Sequence, residues 1–248
     1  MRITFLTGAG MSAESGVPTF RDALTGLWSR FDAEQLATEA AFRRDPALVW
    51  GWYRWRAALV RRVSPNPGHA GIAALAQDHA VRVVTQNVDD LHERAGSRDV
   101  AHLHGSLFAS RCIECGAEAD TGCDDPILRD PQRVPDEGGH EPPPQCADCG
   151  GAIRPGVVWF GEALPEDAWN AAMDTVAACE LLVVIGTSGL VHPAAALPGV
   201  ARNAGVRVLE INPVETPLSG IAHACWRESA SAGVARLTRE LAGDTLAV

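Results

Sequence analysis

A short apolar run, Ile3 to Leu6, gives way at once to Gly8-Ala9-Gly10-Met11-Ser12-Ala13-Glu14-Ser15-Gly16-Val17-Pro18-Thr19-Phe20-Arg21-Asp22. A buried strand followed by Gly-x-Gly constrains a chain strongly. The first glycine makes a tight turn, and the second lets the backbone approach a pyrophosphate. A helix start behind them offers N–H groups to the anion. The dinucleotide pattern G-x-G-x-x-G is broken here, because Ala13 occupies the third glycine position. No acidic residue ends a second strand about twenty positions on to hold a ribose in the ordinary way. Instead Pro18 to Asp22 follow, bringing Phe20 and Arg21 to the region where a cofactor's sugar would lie. A lone Gly-x-Gly is equally compatible with a plain turn; the whole string is far more specific.

Further runs rich in Val, Ile and Leu recur at Val81–Thr85, Leu181–Ile185 and Val206–Ile211, with shorter candidates at Val100–His104 and Cys225–Arg227. Helix-length segments lie between them, at Pro165–Ala178, Pro193–Ala204 and Ala230–Leu241. This alternation predicts an α/β fold, a doubly wound, Rossmann-like parallel sheet with helices on both faces. Two stretches interrupt it. Residues 31–63 have helical periodicity and no strand signal, with Asp45-Pro46 as N-cap and first helical residue. Residues 107–156 hold paired cysteines and a Pro/Gly-rich middle. Asn66-Pro67 opens another helix, running to about His79, that returns the chain to the sheet. The expectation is one domain over 1–248: a large lobe of about 1–30, 64–106 and 157–248, and a smaller lobe made of a helical insertion (31–63) and a zinc-ribbon module (107–156).

Cys112-Ile113-Glu114-Cys115-Gly116 and Cys146-Ala147-Asp148-Cys149-Gly150 are two C-x-x-C-G knuckles. Each presents two thiolates to one metal, and four thiolates in a tetrahedron suit a structural Zn²⁺. Two disulfides are the alternative, disfavoured without a secretory signal. The segment between the knuckles has little apolar content, so metal binding must do the folding. Cys123 is a rival ligand without a C-x-x-C partner; Cys179 and Cys225 read as small core residues.

Three segments carry the remaining chemistry: Thr85-Gln86-Asn87-Val88-Asp89, His104-Gly105-Ser106, and Gly186-Thr187-Ser188 behind a buried run. His104 closes a short strand candidate at the carboxyl edge of the sheet, where ligands bind in doubly wound folds. A histidine alone there is more often structural. A carboxamide ligand needs an acceptor and a donor, which Asp and Asn supply, although an Asn/Asp pair after a strand also caps helices.

Together with the glycine string and the cysteine knuckles, these segments resemble the sirtuins, NAD-dependent protein-lysine deacylases, from Thr7 to about Ala230. The resemblance implies that NAD is consumed as a co-substrate. Acyl-lysine displaces nicotinamide, and His104, as general base, deprotonates a ribose hydroxyl; free lysine and acyl-ADP-ribose result. Asn87 and Asp89 would hold the nicotinamide carboxamide, with Gln86 near the ribose. Gly8, Ala9, Gly10, Ser12, Ser15, Phe20 and Arg21 would line the cofactor, together with Gly186, Thr187 and Ser188. Asn212 and Ala230 would contact the adenosine end. There the chain departs from the family, with Glu228-Ser229 where related chains tend to carry glycine and proline. Phe160, Gly161 and Glu162, with Gly189 and Leu190, would flank a groove in which the substrate peptide adds as a strand.

The pair Tyr53 and Arg56 lies in Val49-Trp50-Gly51-Trp52-Tyr53-Arg54-Trp55-Arg56, a segment that reads as a helix, and residues three apart share a face. One reading makes Tyr53 core and Arg56 a snorkelling surface residue. The other follows the resemblance: this pair is similar to the signature of class III sirtuins, which remove acidic acyl groups. A guanidinium grips a terminal carboxylate bidentately, and a phenol adds a directed hydrogen bond.

Composition excludes other classes. The chain has 248 residues, 46% hydrophobic and 21% charged, which suits a soluble globular protein. A net charge of −10 argues against a nucleic-acid groove. Apolar runs are strand-length, so no membrane span is expected. Met1-Arg2 leads directly into the first strand without a signal peptide, so a cytoplasmic location is expected. The expected partners are acylated lysine side chains of proteins; oligomeric state leaves no trace in the sequence. A mono-ADP-ribosyltransferase and a non-catalytic NAD-binding module stand as alternatives, and the set His104, Asn87 and Asp89 argues against the second.

Overall fold

The computed structural model describes residues 1–18, 32–119, 139–243 and 246. The chain divides into two compact units, one of Met1–Val17, Ser64–Leu103 and Leu164–Val248, the other of Pro18–Val63 and His104–Ala163.

The first unit is built on a parallel sheet. Its strands, numbered in chain order, are β1 (Arg2–Thr7), β2 (Ala80–Thr85), β3 (Val100–His102), β6 (Leu181–Ile185), β7 (Arg207–Ile211) and β8 (Ala224–Trp226). They lie in the order β3-β2-β1-β6-β7-β8, every neighbouring pair parallel. The order reverses between β1 and β6, the switch point where ligands enter doubly wound sheets. The sheet and its alternating helices bear out the sequence reading of the fold class. β3 is shorter than expected and stops at His102.

Period-2 alternation explains why the strands read as continuous apolar runs: both faces are covered. Ile3, Phe5, Val83, Val183, Leu209 and Ile211 face one side, packing with Ile72, Leu75, Val234 and Leu237. The last four come from α5 (Pro67–Leu75) and α9 (Ala230–Ala242). Leu6, Val84, Leu182, Val184 and Val208 face the other side. There they meet Ala172 and Val176 of α7 (Glu166–Ala178) and Leu197 and Ala201 of α8 (Leu197–Asn203). Asn66 caps α5 as expected, its side chain accepting from the N–H groups of Gly68 and His69.

The second unit holds α2 (Ala33–Leu36), α3 (Glu39–Arg44) and α4 (Pro46–Arg62), followed by an antiparallel pair, β4 (Gly105–Cys112) and β5 (Ile153–Val157). Asp45 caps α4 through Leu48 N–H at 3.0 Å, with Pro46 in the first turn. Because Gly105 pairs with Val157, residues 104–106 and 157–163 belong with this unit, whereas the sequence reading groups them with the sheet. Among the described residues, no helix is long and apolar enough to cross a membrane.

Candidate active site

At the switch point the loops leaving β1 and β6 meet backbone to backbone. Gly8 N–H donates to Ile185 O at 3.0 Å and Gly10 N–H to Gly186 O at 2.8 Å. A Cβ on Gly10 would sit 2.7 Å from the Gly186 Cα, and one on Gly186, at φ +62°, 2.5 Å from the Gly10 carbonyl carbon. Only glycine permits this approach. The helix behind the loop, α1 (Gly10–Ala13), is a single turn. Its first N–H groups are largely used within the protein: Met11 N–H reaches Gly8 O and Ser12 N–H reaches Ala9 O. The Ala9 N–H has no acceptor among the described residues, and the buried Ser15 hydroxyl likewise lacks a partner. Both are groups that an anionic ligand would satisfy. Phe20 and Arg21 lie outside the described residues.

Beyond β2 the structure joins three further residues into one directional chain. The Asn87 side-chain NH₂ donates to Ser12 Oγ at 3.1 Å, and the Ser12 hydroxyl donates to Asp89 Oδ2 at 2.9 Å. Asp89 Oδ1 accepts from Leu91 N–H, so both carboxyl oxygens are engaged. Burial raises its pKa, and these two hydrogen bonds oppose the rise. The Asn87 side-chain Oδ1, distinct from its backbone carbonyl, and the second proton of its amide have the donor and acceptor character that a carboxamide needs. Gln86 donates to Thr187 Oγ1 at 3.0 Å, and Asn212 donates to Thr187 O at 2.9 Å, so both brace the loop after β6. Ser188 continues that loop, Gly189 turns it at φ +67°, and Leu190 stands well exposed. Ala230, at the start of α9, is buried.

Sequence reasoning missed His102. Its Nδ1 lies 3.0 Å from the Asn87 carbonyl oxygen and its Nε2 lies 2.7 Å from Glu93 Oε1. Both partners only accept, so the ring satisfies them together only as an imidazolium. Burial pushes its pKa down, but Glu93 and the Asn87 carbonyl outweigh this and hold it above the usual histidine value. The available signal was the His-x-His spacing at 102 and 104; the pairing itself depends on Glu93, from the short helix α6 (Leu91–Arg94).

His69 and His92 are a buried pair, their rings 4.8 Å apart and edge to face. Burial lowers His69 to about 4 and His92 to about 3, with the charge of His69 adding to the effect on His92. Both stay neutral when folded, while their unfolded counterparts take up protons below about 6.5. Stability is therefore lost as pH falls from about 6.5 toward about 4, on the order of 2 kcal/mol per ring at pH 5. Urea unfolding at pH 7 and pH 5 checks this: His92→Leu is expected to lose about half as much stability across that interval as the wild type. An unchanged loss would remove His92 from the account.

In the second unit, His104 follows β3 by two residues, and its carbonyl oxygen accepts from Val158 N–H at 2.8 Å. Gly105 behind it has φ +74°, and a Cβ there would sit 2.1 Å from Gly156 O, which explains why glycine must follow this histidine. The next residue, Ser106, turns its hydroxyl to Phe108 N–H. Phe160 is exposed and Gly161 turns at φ +88°. Glu162, read from sequence as a groove residue, is occupied by protein groups: Arg154 donates to it through two nitrogens, and Trp159 N–H donates at 2.9 Å. Burial pushes its pKa up, but Arg154 and Trp159 outweigh this and hold it below the usual carboxylate value.

Tyr53 is buried on α4, and its hydroxyl oxygen accepts from the Trp159 indole N–H at 3.1 Å. Burial raises its pKa, which keeps the phenol protonated; Arg56, one turn on, opposes the rise. The Arg56 guanidinium lies 5.1 Å from the Trp52 ring centroid.

The sulfurs of Cys112, Cys115, Cys146 and Cys149 lie within 4.8 Å of one another, with Cys112–Cys149 at 3.5 Å and Cys115–Cys146 at 3.7 Å. A zinc tetrahedron with Zn–S near 2.3 Å spaces its sulfurs by about 3.8 Å. All four are free cysteines, so the disulfide alternative falls. The set is placed to hold one structural metal ion, and its all-sulfur chemistry suits zinc. Cys123 lies outside the described residues.

The model of the Sir2 family matches residues 8–193. NAD-dependent protein deacylase 1 of Pseudomonas aeruginosa is 57% identical over 213 residues, covering 86% of this chain and 83% of that protein. Among solved structures, a Sir2 homologue in complex with NAD is similar at a TM-score of 0.85 and 44% identity, covering 99% of this chain and 91% of that one. A mutant Sir2 homologue in complex with 2′-O-acetyl ADP ribose is similar at a TM-score of 0.84 and 43% identity, covering 99% and 94%. A match this long, over the glycine loop, the Asn87–Asp89 cluster and the cysteine knuckles alike, makes the chain a member of the Sir2 family.

Proposed function

We propose that this sirtuin is an NAD-dependent protein-lysine deacylase that removes succinyl and malonyl groups, and acetyl more slowly. The deacylase name of the relative at 57% identity and the NAD and acetyl ADP-ribose complexes of two homologues support the reaction class. The observation that carries the acyl preference is Tyr53 and Arg56 one turn apart on α4, with the Tyr53 hydroxyl buried and held by Trp159.

The residues at the switch point fit the cofactor. Ala9 N–H and Ser15 Oγ would hold its phosphates, and Asn87 and Asp89 the carboxamide, within the geometry that Ser12 fixes. When bound, NAD supplies an electrophilic ribose carbon with nicotinamide as leaving group. His104 is the base: it takes the proton of a ribose hydroxyl at Nδ1 or Nε2 of its imidazole, a task suited to neutral pH. Tyr53 and Arg56 bind the far end of the acyl chain.

The protein has no lysine of its own, all 21 Lys and Arg positions being arginine. Acyl-lysine in an assay therefore comes only from the added substrate. Peptides carrying acetyl-, malonyl- or succinyl-lysine test the preference, with acyl-ADP-ribose trapped as product. Arg56→Met is expected to lower the ratio of desuccinylase to deacetylase efficiency at least about tenfold, or roughly 1.4 kcal/mol. Equal loss of both activities would show that Arg56 only holds the fold. A wild-type preference for acetyl over succinyl peptides would overturn the acyl assignment.

A further inference from the structure

We infer that Trp159 is a positioning residue for acyl specificity: its indole N–H fixes the Tyr53 hydroxyl so that the phenol proton points at the terminal carboxylate of a bound acidic acyl group. This rests on the acidic-acyl reading above and assigns a role outside the Tyr53–Arg56 pair.

An indole N–H can only donate, so at 3.1 Å the Tyr53 oxygen must be the acceptor. With that side of the oxygen taken, the hydroxyl proton is confined to the remaining direction in the ring plane. It finds no acceptor there among the described residues. A buried donor left without a partner is costly, and an acyl carboxylate relieves that cost where an acetyl methyl does not. The contact is therefore selective by charge, which an apolar pocket alone cannot achieve.

Trp159 is itself held from several sides. The Arg154 guanidinium lies over its ring, 3.4 Å from the centroid, and the Phe42 ring packs 5.4 Å away at 39°. Glu162 fixes the same unit, accepting from the Trp159 backbone N–H and from two nitrogens of Arg154. Arg154 also donates to the carbonyls of Pro155 at 3.3 Å and Val157 at 2.8 Å. The ring cannot turn without breaking this clamp, so the direction of its N–H is built into the fold. Glu162 then acts on the substrate through Trp159 and Tyr53.

The test is a double-mutant cycle on kcat/KM for succinyl-lysine and acetyl-lysine peptides, with Trp159→Phe, Tyr53→Phe and the double variant. Phenylalanine keeps a ring beneath Arg154 and removes the donor, together with the volume of the indole's second ring. The ratio of the two efficiencies, taken on one preparation, does not depend on the fraction folded. Trp159→Phe is expected to lower the succinyl-to-acetyl ratio about tenfold, mainly by raising KM for the succinyl peptide. Tyr53→Phe should lower it at least as much, and the double variant no further than Tyr53→Phe alone. An unchanged ratio in Trp159→Phe, or losses that multiply in the double variant, would show that Trp159 does not act through Tyr53. A wild-type enzyme without succinyl preference overturns the acidic-acyl reading itself, and that result precedes any variant.

Discussion

Replacing His104 with alanine is expected to lower turnover by roughly 10²–10⁴-fold, the usual worth of a positioned acid or base. Binding of NAD, followed by calorimetry, should largely survive, because the groups proposed to hold it come from the glycine loop, the Asn87–Asp89 segment and the loop after β6. The imidazole enters only when the ribose hydroxyl must give up its proton, so the loss should fall on kcat. Gly105, forced by its positive φ and the nearby Gly156 carbonyl, fixes the backbone behind His104. The Gly105→Ala variant should therefore disturb folding, which makes His104→Ala the cleaner probe. Near-normal turnover in His104→Ala would overturn its assignment as the base.

The second large effect concerns the cysteines. Cys146→Ala is expected to release the metal and unfold the surrounding module, with activity lost as a consequence. Four protein ligands leave no open position, so the ion cannot activate water. Binding energies of about 10–16 kcal/mol in small zinc modules set the scale. Among the cysteines the Cys112 thiol is lowered to about 7, most strongly by a backbone N–H, while Cys149 is pushed up to about 12 against its sulfur neighbours. A bound cation is what would let all four act as thiolates together. Metal content by elemental analysis, with circular dichroism and thermal melting, decides the matter. A metal-free variant of full helix content and unchanged melting temperature would refute the structural role.

The strands were legible because a sheet covered on both faces leaves nearly uninterrupted runs of Val, Ile and Leu, as at Leu181–Ile185. The cysteine knuckles were legible because a thiolate tetrahedron dictates its own spacing. Other features depend on partners that sequence cannot name. The segment Pro193–Ala204 reads as one helix, yet it begins as a 3₁₀ turn, Ala194–Ala196, and restarts as α8. Pro198 lacks an N–H, so the restart puts it in a first turn, where none is needed. His102 carries no periodic signal, and its importance appears only when Glu93 and the Asn87 carbonyl meet its two nitrogens. Trp159 sits in the apolar run Val157-Val158-Trp159-Phe160, and its indole N–H finds its acceptor in Tyr53, more than a hundred positions earlier in the sequence. Glu162 enters as a groove residue only through the resemblance, and its bonds to Arg154 and to the Trp159 N–H appear only once the chain is folded.

The placement of β1 between β2 and β6 has a kinetic consequence. Phe5 pairs beside Val83 on one side and Val183 on the other. A chain emerging from the ribosome makes β1 long before β6, and the second edge of β1 cannot close until β6 has been synthesised. Until then the strand presents an open row of backbone groups, the kind of edge on which chains stick to one another. The glycine contacts between residues 8–10 and 185–186 form only at that docking. The backbone frame on which a dinucleotide would sit therefore cannot close until residues 185–186 have followed the glycine loop out of the ribosome.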